Sequence, residues 1–558
     1  MQIIECVPNF SEGNDMDIVR QITAEIEQVS GVRLLNVDPG KATNRTVVTF
    51  VGTPNAVVEA AFRAIRKAGE LIDMRRHKGE HPRMGATDVC PLIPVSGISM
   101  EETAAYAVKL AARVGKELNL PVYLYEAAQP DTQRSNLAVI RAGEYEGLEA
   151  KMARPEWKPD YGPAAFDPIR GATVIGARDF LIAYNVNLNT TSTRRANAIA
   201  FDVREAGRVK QENGKPVLDA QGNKVMIPGS LKSVKAIGWY IEEYGIAQIS
   251  MNLTNIRVTP LHVAFDEVCK RATARGMRVT GSELVGLVPL SAMTDAGRYF
   301  LEKQQRSSGV SEAELVRIAI KSMGLDELAP FKSEERIIEY LLADSASSRL
   351  ASMTVSAFAD ETASESPAPG GGSISACIGS LGAALGTMVA NLSSHKKGWD
   401  DRWDEFSRWA VKGQALKSEL VRLIDADTAS FNGLMQAFGL PKHTAEEKAA
   451  RSAAIQAATK YAMEVPFRVM QTAHEGFELV RAMAETGNPN SVSDAGVGAL
   501  CLRSAVLGAF LNVKINAQGC TDAAFTKQML ESGASLAAAS EKAEKEILKI
   551  VESKIAGS

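Results

Sequence analysis

Hydrophobic and polar positions follow two different rhythms along this chain, and the change falls near residue 345. Before it, short β-branched runs alternate with amphipathic stretches. Residues 3–7, 32–37, 46–51, 89–95 and 122–125 read as strands. Residues 16–29, 54–72 and 100–118 repeat apolar positions at helical spacing, the second of them opening on Pro54. Paired strands around intervening helices predict a sheet with helices on one face. Residues 154–171 break the rhythm with Pro155, Pro159, Pro163 and Pro168 among Trp157, Tyr161 and Phe166. Proline stops helices and central strands, so this stretch is an ordered loop, either an interdomain linker or a cover over a ligand. A second series follows, with strands at 180–186, 236–240, 247–253 and 282–290 and helices at 192–206 and 262–275. Residues 210–227 read as a hairpin insertion turning at Gln221-Gly222-Asn223. Helical patterns then run to about residue 342.

Beyond that point no strand pattern occurs. Residues 343–373 are rich in Ala, Ser, Gly and Pro and read as a linker. Long Ala-rich amphipathic segments occupy 374–393, 403–438, 445–486, 492–516 and 523–555, the mark of a helical bundle. The expected organisation is multidomain: two α+β subdomains of ferredoxin-like sandwich type (1–178 and 179–342), the linker (343–373) and an all-α helical domain (374–558).

Composition narrows the function classes. The 558 residues are 45% hydrophobic and 23% charged with a net charge of −3, so nothing global draws the chain to nucleic acid or an anionic membrane. The six cysteines lack metal or disulfide spacing and read as free thiols of a reducing compartment. The N-terminal residues lack a signal peptide's basic region and apolar core, so a cytoplasmic location is expected. Residues 375–393 are uncharged and helix-length, but Gly, Ala and Ser dominate them. They read as a closely packed soluble helix, not a membrane span.

Candidate chemistry concentrates in a few places. The segment from Arg76 to Gly85 holds two of the six histidines, His77 and His81, with Lys78 and Arg83. Imidazole exchanges protons near neutral pH, and cations beside it suit an anionic substrate. A metal site would need a third ligand that the spacing does not supply. One imidazole reads as a general acid–base, and the other has room for a structural role. Asn44-Arg45 follows an expected Asp38-Pro39-Gly40 turn and sits at a strand mouth. It either joins the same pocket or is surface charge. In the helix spanning 403–438, an apolar stripe runs through Leu416, Leu420, Leu423/Ile424, Phe431 and Leu434, and Asp427 lies on it. A carboxylate there is either paired within the bundle or a proton-transfer group whose pKa burial raises. Asp425, about 200° round the helix, faces elsewhere. Pro367 to Ser373 puts Gly370, Gly371, Gly372 and Ser373 at a helix start, where backbone N–H groups can meet an anion or where a linker simply ends in a cap. Asn512, Lys514 and Asn516 place two amides and a cation on a late helix.

Taken together, these segments resemble the formiminotransferase-cyclodeaminases, bifunctional folate enzymes of histidine breakdown. The resemblance rests on Glu5 to Gly13, Thr43-Asn44-Arg45-Thr46, His77 to Gly85, Val122 to Tyr125, Gly171 to Val174, Ala236 to Tyr240 and Leu284 to Pro289, then on Pro367 to Ser373, Asp425-Ala426-Asp427 and Asn512 to Asn516. It implies transfer of a formimino group from N-formimino-L-glutamate to tetrahydrofolate, then cyclisation to 5,10-methenyl-tetrahydrofolate with release of ammonia. His81 matches the transferase acid–base and Asp427 the cyclodeaminase carboxylate. The loop with Gly162, Pro163, Phe166 and Gly171 matches the folate-binding loop. Asp38, Asn44, Arg45, His77, Lys78 and Arg83 are expected on the transferase substrates, and Gly371, Ser373, Asn512 and Asn516 on the cyclodeaminase substrate. The resemblance further implies tetrahydrofolate as a polyglutamylated co-substrate, no metal, no nucleic acid, no membrane span and a homo-oligomer. Two other readings stay open: one active half with the other an oligomerisation domain, or a folate-binding scaffold. The 210–227 insertion is longer than in the animal enzymes.

Overall fold

The computed structural model describes residues 2–40, 43–79, 82–342 and 350–557. They form two compact units, Met1–Ala292 with Met323–Ala343, and Met293–Ser322 with Asp344–Ser558.

In the first unit, β1 (Ile3–Cys6) and β2 (Asn9–Phe10) form one interrupted course between β4 (Arg45–Gly52) and β5 (Thr87–Ser96). β3 (Val32–Gly40) flanks β4. All these pairings are antiparallel. Helices α1 (Met16–Glu27), α2 (Pro54–Leu71) and α3 (Met100–Glu117) carry their apolar faces onto the sheet, where Ile22, Phe50, Ile65 and Leu110 are fully buried. Asp15 caps α1, and Ser99 with Glu102 makes a capping box on α3. Beyond β5 the sheet continues in parallel through β7 (Thr173–Ala177) to β6 (Val122–Glu126). The sequence pattern closes this series at residue 125. β7 is five residues buried on both faces, so it shows no alternation to read. The short helices α4 (Leu137–Arg141) and α5 (Leu148–Met152) close over β6.

The expected Asp38-Pro39-Gly40 turn is wrong. Asp38, Pro39 and Gly40 pair with Val47, Thr46 and Arg45 as the end of β3. Proline fits there because β3 is an edge strand that needs no donor on its open side.

The second sheet has order β13-β14-β8-β15, all antiparallel. Along the chain it runs β8 (Ile182–Leu188), α6 (Thr193–Val203), β13 (Val234–Ile241), β14 (Ile246–Leu253), α7 (Leu261–Thr273) and β15 (Val279–Val285). The insertion lies between α6 and β13 as β9 (Arg208–Val209), β10 (Gln211–Glu212), β11 (Lys215–Pro216) and β12 (Met226–Ile227). It turns twice, at Asn213-Gly214 and around Gly222, where the sequence reading expected one turn. Helices α8 (Leu290–Lys303), α9 (Glu312–Met323), α10 (Ser333–Arg336) and α11 (Ile338–Leu342) follow.

The second unit is helical. Residues 343–349 of the expected linker lie outside the described residues. The rest of it is more ordered than its composition suggests, with a 3-10 turn at Leu350–Ser352 and α12 (Val355–Thr362), which Thr354 caps. α13 (Gly371–Ser394), α14 (Trp403–Phe438), α15 (Ala445–Thr486), α16 (Val492–Ala517) and α17 (Ala523–Ala556) share one core. Their limits lie within three residues of the sequence expectation. Residues 293–322 belong to this unit: Asn391 donates to the Gly309 carbonyl at 2.9 Å, and Ser308 N–H to Ser407 Oγ at 3.1 Å. Two helical segments, Gly371–Ser394 and Pro489–Ala517, are long and apolar enough to cross a bilayer. Each buries half or more of its most apolar stretch inside the bundle (61% and 50%), as core helices of a helical domain do.

Candidate active sites

The histidine loop is assembled around Asn44, which stands in the left-handed region at φ 45°, a conformation asparagine tolerates. Its Oδ1 accepts from Gly13 N–H (3.0 Å) and Asn14 Nδ2 (2.8 Å), and its Nδ2 donates to the Lys78 carbonyl at 3.0 Å. One side chain thus joins three loops. His77 takes part in the same fastening. Its Nε2 lies 2.8 Å from the Asn44 carbonyl, and its Nδ1 accepts from Arg83 Nε at 3.3 Å. Those partners fix the neutral tautomer with the proton on Nε2. His77 is thus held through both ring nitrogens. His81 lies outside the described residues.

Arg83 is almost fully engaged. Its Nη1 donates to Glu144 and Glu146 and its Nη2 to Glu146 at 2.6 Å, which holds its pKa above the usual arginine value. With Lys78, Gly79 and Gly143 these groups line an open cavity of about 610 Å³. Arg45 does not face that cavity. Its Nε donates to Asn9 Oδ1 (3.0 Å) and its Nη1 to Asp88 Oδ2 (2.6 Å). Asp88 is fully buried, also accepts from Arg141 Nη2 at 2.6 Å, and its Oδ1 takes the Met84 N–H at 3.0 Å. Burial pushes the Arg45 pKa down, and the Arg141 charge adds to the fall against the opposing pull of Asp88. Arg45 and Arg141 line a second cavity of about 700 Å³ reaching to Arg178, Lys235 and Asn255. The cations grouped by sequence thus split between two cavities. Asp38 lines neither of them and is exposed on β3.

The proline-aromatic loop docks against the histidine loop. Gly85 bridges to Gly171, and Ala86 N–H donates to the Arg170 carbonyl and Met74 N–H to the Ile169 carbonyl. Gly171 has φ 70°, and a Cβ there would stand 2.1 Å from the Met84 carbonyl oxygen, so only glycine allows this crossing. Phe166 packs on Tyr145 with ring centroids 5.5 Å apart, and the Tyr145 hydroxyl donates to the Pro168 carbonyl. Gly162 lies exposed and Pro163 half-buried ahead of this anchored part.

In the bundle, the start of α13 meets Asp427 on α14. Ser373 Oγ donates to Asp427 Oδ2 at 3.0 Å and lies 3.0 Å from the Ile424 carbonyl. A Cβ on Gly372 would stand 2.2 Å from Asp427 Oδ1. Glycine therefore lets the carboxylate reach the helix N-terminus, whose N–H groups favour negative charge. Burial still raises the Asp427 pKa, and the hydrogen bonds from Ser373 only partly oppose it. Asn512 Nδ2 lies 3.1 Å from where a Gly371 Cβ would be and donates to the Gly508 carbonyl. Asn516, one turn on, has its amide on the Ala462 carbonyl of α15. Leu416, Leu420, Leu423 and Ile424 of the stripe are buried, whereas beyond the carboxylate Leu434 is half-buried and Phe431 is 38% exposed. Among the described residues no group of three or more His, Cys, Asp or Glu is placed to hold a metal.

Asp88, Arg141, Glu144 and Glu146 escaped the sequence reading. Asp88 left one signal, a lone acid in the apolar run from Met84 to Val95. The other three lie more than fifty residues away and left none.

Three family models match the chain in succession: the formiminotransferase N-terminal subdomain over residues 3–178, the formiminotransferase domain over 183–343, and formiminotransferase-cyclodeaminase over 354–535. The formimidoyltransferase-cyclodeaminase of Gallus gallus is 46% identical over 535 residues, 95% of either chain. The glutamate formimidoyltransferase of Thermoplasma acidophilum is 42% identical over 304 residues, 54% of this chain and 93% of its own. The methenyltetrahydrofolate cyclohydrolase of Methylorubrum extorquens is 39% identical over 202 residues, 36% of this chain and 97% of its own. With both relationships on one polypeptide, the chain belongs to the formimidoyltransferase-cyclodeaminase family.

Proposed function

We propose that the first unit transfers the formimino group of N-formimino-L-glutamate to N5 of tetrahydrofolate and that the bundle cyclises the product. The observation that carries this is the successive match of transferase and cyclodeaminase family models on one chain. In the first step N5 attacks the formimino carbon, and the glutamate nitrogen leaves with a proton. His81 takes the N5 proton and returns it to the leaving nitrogen. The segment around it is fastened at Asn44, His77 and Arg83, and the 162–171 loop, docked beside it, is the folate-contacting element. In the second step N10 attacks the same carbon and loses its proton, and ammonia leaves protonated. Asp427, a carboxyl whose pKa burial raises, serves as the proton-transfer group, with Ser373 bonded to it and Asn512 near Gly371 at the same helix start. Neither step calls for a metal or a nucleotide.

The chain order β-α-β-β-α-β occurs twice in the first unit, as β1-α1-β3-β4-α2-β5 and as β8-α6-β13-β14-α7-β15. It supports the ferredoxin-like reading of both subdomains. Exposed apolar stripes on α13 (Leu381, Met388, Leu392) and α16 (Leu500, Leu507, Leu511, Ile515) support a homo-oligomer built through the bundle. The chain works in the cytoplasm, where polyglutamylated folates are its co-substrate.

The cyclohydrolase relative favours one second reading, in which the bundle opens methenyl-tetrahydrofolate with water. The test is purified protein with formimino-glutamate and tetrahydrofolate, followed by methenyl absorbance and ammonia. Equimolar ammonia and methenyl-tetrahydrofolate support the proposal. Transfer without ammonia, together with hydrolysis of added methenyl-tetrahydrofolate, supports the second reading.

A further inference from the structure

Asp88 joins groups that are distant in sequence. One oxygen takes both Arg45 Nη1 and Arg141 Nη2 at 2.6 Å, and the other takes the Met84 N–H. One carboxylate neutralises one guanidinium, so the trio keeps a positive charge where Arg45 is 7% exposed and Asp88 is not exposed at all. Such a charge is costly to bury unless an anion approaches it. The cavity beside it offers that approach: Arg45, Arg141, Arg178 and Lys235 line it against two acids, Glu126 and Asp179. Arg141 Nε is buried with no hydrogen-bond partner, so this guanidinium keeps a donor uncommitted. Arg83, by contrast, has given its donors to Glu144, Glu146 and His77.

We propose that Arg45 and Arg141, held side by side by Asp88, form a clamp for the carboxylate of a glutamate unit, and that Asp88 is the positioning residue of this clamp. The inference rests on the transferase reading for its substrates, since formimino-glutamate and the folate tail both end in glutamate. The clamp's geometry is independent of that reading. Paired guanidiniums suit carboxylate oxygens because each supplies parallel N–H donors. Through Met84 the same carboxylate also fixes where the chain enters β5 after the segment carrying His81.

The test uses the full-length chain and two readouts. Calorimetric binding of glutarate, a plain dicarboxylate, does not depend on turnover. Steady-state kinetics then give KM for formimino-glutamate and for tetrahydrofolate bearing one or three glutamates. Arg141→Met is expected to weaken glutarate and to raise one of the KM values by about 30-fold, with kcat within about threefold, as loss of a charge-assisted contact from substrate binding would. A rise confined to formimino-glutamate assigns the clamp to the donor, and a rise confined to tetrahydrofolate assigns it to the folate tail. Asp88→Asn should weaken glutarate as Arg141→Met does. Arg141→Lys keeps the charge but loses the planar fork, so it should retain the wild-type thermal midpoint and still bind glutarate about tenfold more weakly. Unchanged glutarate affinity in both Arg141 variants overturns the clamp, as does a kcat loss at unchanged KM. If wild type binds glutarate, Arg141→Met does not, and neither turns over formimino-glutamate, the transferase reading falls and the clamp stands.

Discussion

Asp88 in the first unit and Asp427 in the bundle are carboxylates withdrawn from water and held in opposite ways. In the first unit Asp88 holds two arginines, and nearby Arg83 is held by two glutamates. Such pairs fix position. In the bundle, Asp427 meets only neutral donors, Ser373 and the start of α13, and no cation acts on it. Its charged form is therefore penalised and its pKa rises, which suits a group that must gain and lose a proton. The contrast teaches that a cation beside a desolvated carboxylate makes it a point of attachment, whereas neutral donors alone leave its charged form penalised.

The contrast breaks most sharply at Gly372. Gly372→Ala sets a methyl group against the Asp427 carboxylate, so cyclisation should fall by about a thousandfold, the scale of a lost acid–base group. Formimino transfer by the same protein should stay at the wild-type rate, and a stopped assay of 5-formimino-tetrahydrofolate checks both. Loss of both steps would mean that the units do not act separately.

Glu5 of the first unit extends the comparison, because it is a buried acid without an ion pair of Asp88's kind among the described residues. It is buried, and burial lifts its pKa to about 7, with Glu339 adding to the rise and Arg178 opposing it. A raised pKa means that the folded state holds the proton more tightly. The stabilisation is thus complete below the unfolded value of 4.5 and is lost as pH rises through about 7. Glu5→Gln should flatten that loss and exceed wild type at pH 8 by about 3 kcal/mol. Denaturant titrations of the first unit's transition at pH 5 and pH 8 measure it, and parallel curves for wild type and variant would contradict it.

His77→Ala removes the bonds to Asn44 and Arg83. Transfer should fall by about tenfold, because positioning is loosened while the acid–base group stays, and cyclisation of supplied 5-formimino-tetrahydrofolate should not change. A loss as deep as that of His81→Ala would exchange the roles of the two histidines. Asp425→Asn should change cyclisation by less than about twofold, since Asp425 lies about 200° round the helix from the stripe that carries Asp427.

Much of this was legible in the sequence, and the limits have physical causes. The bundle helices were readable because Ala-rich, strand-free sequence persists over 24 to 42 residues at a time. Asp427 stood out as the one acid on a repeating stripe. β7 was not readable, since a strand buried on both faces has no alternation. Asp38 misled because Pro-Gly reads as a turn, whereas the edge strand β3 tolerates it. The histidine loop was visible through its composition. Its fastening was not, because Asn44, His77, Arg83 and Glu146 meet across more than a hundred residues. Asp88 left a trace as a charge in an apolar run, but its two arginines come from opposite sides of it in the sequence.

The measurement that tests the two-site account most directly is the coupled assay run on wild type, His81→Ala and Asp427→Asn side by side. Formimino-glutamate and tetrahydrofolate start one series, and 5-formimino-tetrahydrofolate starts the other. The account predicts that Asp427→Asn accumulates 5-formimino-tetrahydrofolate without ammonia, and that His81→Ala makes nothing from the first pair yet cyclises the supplied intermediate at the wild-type rate. Ammonia release by Asp427→Asn at the wild-type rate, or failure of His81→Ala to cyclise the supplied intermediate, would contradict it.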